Sequence, residues 1–114
     1  MIITQNKPFD LEQIKQLREE FDSYIKTVID LENKVCSAGM NRHYEGEAIL
    51  LKQGSRQSDI WGGGIDVVNL NIDFNSFINI RPRDNNPTND IQSENIRQKY
   101  RELTEYFFQV IYAK

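Results

Sequence analysis

Tyr24-Ile25-Lys26-Thr27-Val28-Ile29-Asp30-Leu31-Glu32-Asn33-Lys34-Val35-Cys36-Ser37-Ala38 (residues 24–38) is the stretch on which the fold turns. Read at a period of two, Ile25, Thr27, Ile29 and Leu31 fall on one side and Tyr24, Lys26, Val28 and Asp30 on the other. The β-branched content favours a strand. Asn33-Lys34 then forms a tight turn, with Asn33 suited to positive φ, and residues 35–38 return as a second strand. Read at the helical period, Phe21, Ile25, Val28, Ile29 and Glu32 lie near one face, so a helix prolonged from 11 to 33 competes. The hairpin reading makes the protein α+β.

Upstream, residues 2–4 suit a short edge strand. Asp10 followed by Gln13 has the spacing of a capping box, and Phe9 with Ile14 that of a hydrophobic staple. Leu11, Ile14, Leu17 and Phe21 recur at helical spacing, which predicts a helix over 11–21. Downstream, residues 44–53 carry good helix formers and Gly54 stands where a helix-terminating glycine belongs; a strand is the alternative there. Residues 54–59 read as loop. A strand from Trp61 is interrupted by Gly62, Gly63 and Gly64, so its backbone is bent, bulged or closely approached. After a turn at 69–71 comes the cleanest alternation in the chain. Ile72, Phe74, Ser76, Ile78 and Ile80 face one way, and Asp73, Asn75, Phe77, Asn79 and Arg81 the other, until Pro82 ends the strand. Residues 83–90 are a polar loop, and Asn89 or Asp90 caps a last helix whose stripe is Ile96, Tyr100, Leu103, Phe107, Val110 and Ile111.

The 114 residues, 39% hydrophobic and 27% charged, suit one folded domain over 1–114. A formal charge of −3, with no long basic block, counts against nucleic acid as a partner. One cysteine, Cys36, permits no internal disulfide and no site built on several thiolates. The opening MIITQNKPFD lacks a secretory pattern and no apolar run is long enough to span a membrane, so the expected location is the cytoplasm.

Few residues suggest chemistry. His43-x-Glu45-x-Glu47 follows Asp30-x-Glu32, and one imidazole with carboxylates suits a divalent metal. Caps and solvated charges account for the same residues, and no His-Glu-x-x-His spacing supports the metal. No Gly-x-Ser-x-Gly elbow is present, and no Gly-Lys-Ser/Thr follows the triple glycine. Asn79 and Arg81 share the polar side of the 72–81 strand. With Arg83 and Asn86 beyond it, and Trp61 as an anchor, they form a candidate site for an anion or a protein partner. Alternatively, Arg81 pairs with Asp30, Glu32 or Glu45 inside the fold, and Trp61 is packing.

Leu50-Leu51-x-x-Gly54-Ser55-x-Gln57, Ile60-Trp61-Gly62 and Phe74-x-Ser76-x-Ile78-Asn79-Ile80-Arg81-Pro82 with Asn86, preceded by His43-x-Glu45-x-Glu47-Ala48, resemble a small family of cyanobacterial and other bacterial proteins known as a domain of unknown function. The likeness spans most of the chain. Glu45, Gly46 and the extra Gly63 and Gly64 depart from that pattern and weaken a metal site at His43. The resemblance implies a fold and no activity.

The expected architecture is a two-layer α+β domain, α-β-β-α-β-β-α. An antiparallel sheet of about four strands carries the N- and C-terminal helices on one face. The other face is open to water or covered by a second subunit, as in a homodimer. The expected function is a non-enzymatic binding or regulatory module using Trp61, Asn79, Arg81, Arg83 and Asn86, with an unknown protein or small anionic ligand as partner and no cofactor. The alternative is a metal-dependent hydrolase built on Asp30, Glu32, His43, Glu45 and Glu47.

Overall fold

A computed structural model describes residues 1–112. Five strands form one antiparallel sheet: β1 (Ile3–Gln5), β2 (Tyr24–Asp30), β3 (Val35–Ala38), β4 (Ile60–Asp66) and β5 (Ile72–Asp73), in the order β1-β3-β2-β4-β5. Four helices are described: α1 (Leu11–Glu20), α2 (His43–Lys52), α3 (Glu94–Phe107) and the short α4 (Gln109–Tyr112). The hairpin at 24–38 is present, and the prolonged helix is not. Positive φ falls on Lys34 rather than Asn33. The turn is held by Asp30, whose Oδ1 accepts the Glu32 and Asn33 amides at 3.0 and 2.9 Å.

Helix boundaries follow local chemistry. Asp10 Oδ1 accepts the Gln13 amide at 2.8 Å, and Gln13 Oε1 accepts the Asp10 amide at 3.0 Å, which completes the capping box. Beyond Lys52, the last residue of α2, the chain turns away at Gly54, with φ +104°. There the Gly54 amide donates to Leu51 O and the Ser55 amide to Leu50 O, the double closure that uses up orphan helix carbonyls. α3 begins later than expected: Ser93, and not Asn89 or Asp90, caps it, with Oγ accepting the Ile96 amide at 3.2 Å. Residues 89–91 are instead drawn to the segment after β5, where Ser76 N donates to Asn89 O and Ile91 N to Phe74 O.

Register divides the core. β2 and β4 pair from Tyr24↔Asp66 to Asp30↔Ile60 without a bulge. Ile25, Thr27 and Ile29 therefore share a face with Ile65, Gly63 and Trp61. Onto this face pack Phe9, Ile14 and Leu17 with Tyr100, Phe107 and Phe108, so the terminal helices lie on one side, as expected. The opposite face is not left open. α2 covers part of it through a second cluster of Val28, Met40, Leu50 and Ile60. Gly46 lets the helix lie close, since a Cβ there would stand 3.0 Å from Val28 Cγ2 and 2.5 Å from Met40 Cε.

The glycines of β4 are sites of close approach. A Cβ at Gly63 would collide with Asp73 O and press on the Tyr100 ring, and one at Gly64 would collide with the Tyr24 ring. Tyr24 crosses Gly64 and donates to Asp73 Oδ2 at 2.5 Å. Burial first, and then this bond, raise the Tyr24 pKa far above that of an ordinary phenol.

The clean alternation over 72–81 is not one strand. β5 stops at Asp73, single turns of 3-10 helix follow at Phe77–Asn79 and Pro82–Asp84, and the two-sided reading of these residues is overturned. Ser76 starts the first turn, its Oγ accepting the Ile78 amide at 3.2 Å. Phe77, on the nominal polar side, is 84% exposed, whereas Asn79 beside it is wholly buried.

Candidate functional site

The turn is favoured because the edge of β4 needs partners. β5 pairs only with Gly64 and Ile65, so the amide and carbonyl of Gly62 and the carbonyl of Ile60 lie beyond it. Side chains complete the ladder. Asn79 Oδ1 accepts the Gly62 amide and Asn79 Nδ2 donates to the Gly62 carbonyl, both at 2.9 Å, as a neighbouring strand would. Arg81 Nη2 donates to the Ile60 carbonyl. An edge closed by side chains offers no template for another chain to pair with.

Asn86 closes the loop behind this pair. Its Nδ2 donates to the carbonyls of Asn79, Thr88 and Asp90 at 2.8–3.0 Å, and its Oδ1 accepts the Gln92 amide at 2.8 Å. The Arg81 guanidinium stacks on Trp61, 4.1 Å from the ring centroid. Burial draws its pKa below the usual arginine value, opposed by the charges of Glu47, Asp84 and Asp59. Its Nη1 is buried and makes no hydrogen bond, and among the described residues no carboxylate pairs with it. The internal ion pair with Asp30, Glu32 or Glu45 is thus replaced by stacking and carbonyl contacts. Trp61, Asn79, Arg81 and Asn86 do come together, but as an enclosed network and not as a solvent-facing strand. Arg83 alone of the five is exposed.

The acidic residues disperse. Asp30 is fully buried at its turn, where Ser55 Oγ and Asn33 Nδ2 donate to its Oδ2 at 2.5 and 2.8 Å. Burial alone would raise its pKa, but the Asn33 amide, Ser55, the Asn33 side chain and the Glu32 amide together hold it below the ordinary carboxylate value. Glu32 lies in the turn beyond β2 and does not share a strand face with Asp30. Glu45 Oε1 accepts the Arg42 amide at 2.9 Å, and Glu47 faces Gln57. Among the described residues no three His, Cys, Asp or Glu side chains gather in a metal-holding group. The five-residue metal cluster is therefore not formed.

His43 instead belongs to a cleft. Its Nε2 lies 2.7 Å from the Gly63 carbonyl, which can only accept, so Nε2 carries the proton and Nδ1 is left as an acceptor. Burial lowers the His43 pKa; the Gly63 bond opposes this, Lys26 reinforces it, and Asp73 opposes it again. The ring is therefore neutral at pH 7. Around it, Lys26, Asn41, Arg42, Tyr44, Ser76, Phe77 and Ile78 line a cleft of about 240 Å³ between the first turn of α2 and the turn after β5. Lys26 of β2 is its lining residue from the sheet. No carboxylate lines it, and among the described residues neither Lys26 nor Arg42 is ion-paired. Tyr44, 60% exposed, and Phe77 bring aromatic surface from its two sides.

A larger groove of about 790 Å³ lies between the 31–34 turn and α3, but its Lys34 and Lys99 alternate with Glu32 and Glu102. Such mixed charge selects no ligand sign. The alternation at 72–81 did not reveal the cleft, although one signal was present: Phe77 is the one aromatic among Asp73, Asn75, Asn79 and Arg81.

None of the described helices is long and apolar enough to cross a membrane. No curated protein and no solved structure matches the chain. The sequence itself does match a family over residues 1–107, and by that match the chain belongs to the family described as Protein of unknown function (DUF5674).

Proposed function

We propose that the protein is a non-enzymatic binding module whose cleft at Lys26, Arg42 and His43 takes a small anionic ligand. The carrying observation is one of charge. A chain of net charge −3 places two cations, neither of them ion-paired among the described residues, in the lining of one cleft that no described carboxylate lines. At such a site an anion gains Coulomb attraction from both cations in partly excluded water. Asn79, Arg81, Asn86 and Trp61 enter this reading as the rigid frame that sets Ser76, Phe77 and Ile78 against α2. The buried free thiol of Cys36 fits a reducing compartment such as the cytoplasm.

The test is a titration with inorganic phosphate followed by amide NMR. Shifts confined to residues 26, 41–44 and 76–78, lost in the Lys26→Ala/Arg42→Ala double variant, are the expected result. Unmoved spectra, or shifts retained in that variant, would overturn the proposal.

A further inference from the structure

Resting on that anionic reading, we infer that the ligand is a phosphorylated planar heterocycle of the size of a nucleoside monophosphate, its ring held by Tyr44 and Phe77 and its phosphate by Lys26 and Arg42. The first argument is the placement of the aromatic rings. Phe77 is 84% exposed although its neighbours Ser76 and Asn79 are buried. The Ser76 cap and the four Asn79 contacts fix the turn that turns it outward. Tyr44 faces the same cleft from α2. Two rings presented from separate rigid elements offer faces for stacking, which any planar base satisfies.

The second argument is His43. With its proton committed to the Gly63 carbonyl, it brings to the cleft a ring whose free nitrogen can only accept. An anionic oxygen gains nothing from that nitrogen, whereas an N–H of a heterocycle does. Ser76 Oγ accepts the Ile78 amide and keeps its own proton to donate. The cleft thus combines two cations, an acceptor, a hydroxyl donor and two aromatic faces, a set that bare phosphate leaves partly unused. The third argument is size. About 240 Å³ lies below the roughly 300 Å³ where common ligand sites begin, so the cleft encloses part of a mononucleotide and has no room for a dinucleotide.

Calorimetry with adenosine 5′-monophosphate, uridine 5′-monophosphate and ribose 5-phosphate tests this. At least one nucleotide should bind about tenfold tighter than ribose 5-phosphate, near the low end of base–aromatic stacking. Phe77→Ala and Tyr44→Ala, both at exposed positions, should reduce the nucleotide to the ribose 5-phosphate level and leave ribose 5-phosphate itself unchanged. Equal affinity for all three probes would overturn the heterocycle while the anion site stands. Absence of binding by every probe, inorganic phosphate included, would overturn both.

Discussion

Replacing Asn79 by alanine tests the claim that a side chain stands in for a strand at the β4 edge. The wild-type carboxamide serves four backbone groups. Phe74 O and Asn89 O keep other donors, Ile91 N and Ser76 N, after truncation. The Gly62 amide and carbonyl lose their only partner on that side. Two buried orphaned groups cost about 1–3 kcal/mol each, so a loss of about 2–6 kcal/mol is expected. For a domain of this size that is a large share of total stability. Urea unfolding monitored by circular dichroism measures it, with an unchanged m-value expected if only the native contacts are lost. Asn79→Asp should fare no better, because it sets an oxygen against the Gly62 carbonyl. A loss below about 1 kcal/mol for Asn79→Ala, the net worth of one ordinary hydrogen bond, would refute the strand-substitute account.

Other outcomes follow from the same geometry. The depressed Asp30 pKa means that its charged form stabilises the fold at pH values above the unfolded pKa. That stability is lost as pH falls below about 4 toward the folded pKa. Asp30→Ala should cost about 3 kcal/mol at pH 7 and flatten acid unfolding in that range, as read from denaturation midpoints against pH. His43 is neutral in the fold with a lowered pKa, so stability should decline as pH falls below about 6.5, where the unfolded chain takes up the proton first. His43→Gln should remove that decline in thermal melts between pH 7 and pH 5. Gly63→Ala forces a methyl against Asp73 O and Tyr100, and a loss of about 3 kcal/mol is expected in the same urea assay.

Local chemistry was legible where a residue acts on its own neighbours. Asp10 and Gln13 cap the helix they precede, Gly54 ends the helix before it, and the alternation of residues 24–31 marks the strand. Residues 72–81 misled because their alternation arises differently. Asn79 and Arg81 bond to Gly62 and Ile60, 17 and 21 residues away, and an exposed polar side chain has the same sequence pattern as one buried on a distant carbonyl. The three glycines signalled a close approach but not what approaches. The late start of α3 at Ser93 has a similar cause, since residues 89–91 are held by the β5 segment. The cleft is not legible in the sequence because Lys26, Arg42 with Tyr44, and Phe77 belong to three separate local segments, which only the seating of α2 on the sheet and the Asn79 bonds to β4 bring together.

The most direct test of the cleft is a search for nuclear Overhauser contacts between the base protons of adenosine or uridine 5′-monophosphate and the protein. Contacts to the Phe77 and Tyr44 rings, with perturbed Lys26 and Arg42 side chains, are the predicted result. Contacts to the groove at Lys34, Lys99 and Tyr106, or none with saturating nucleotide, would contradict it.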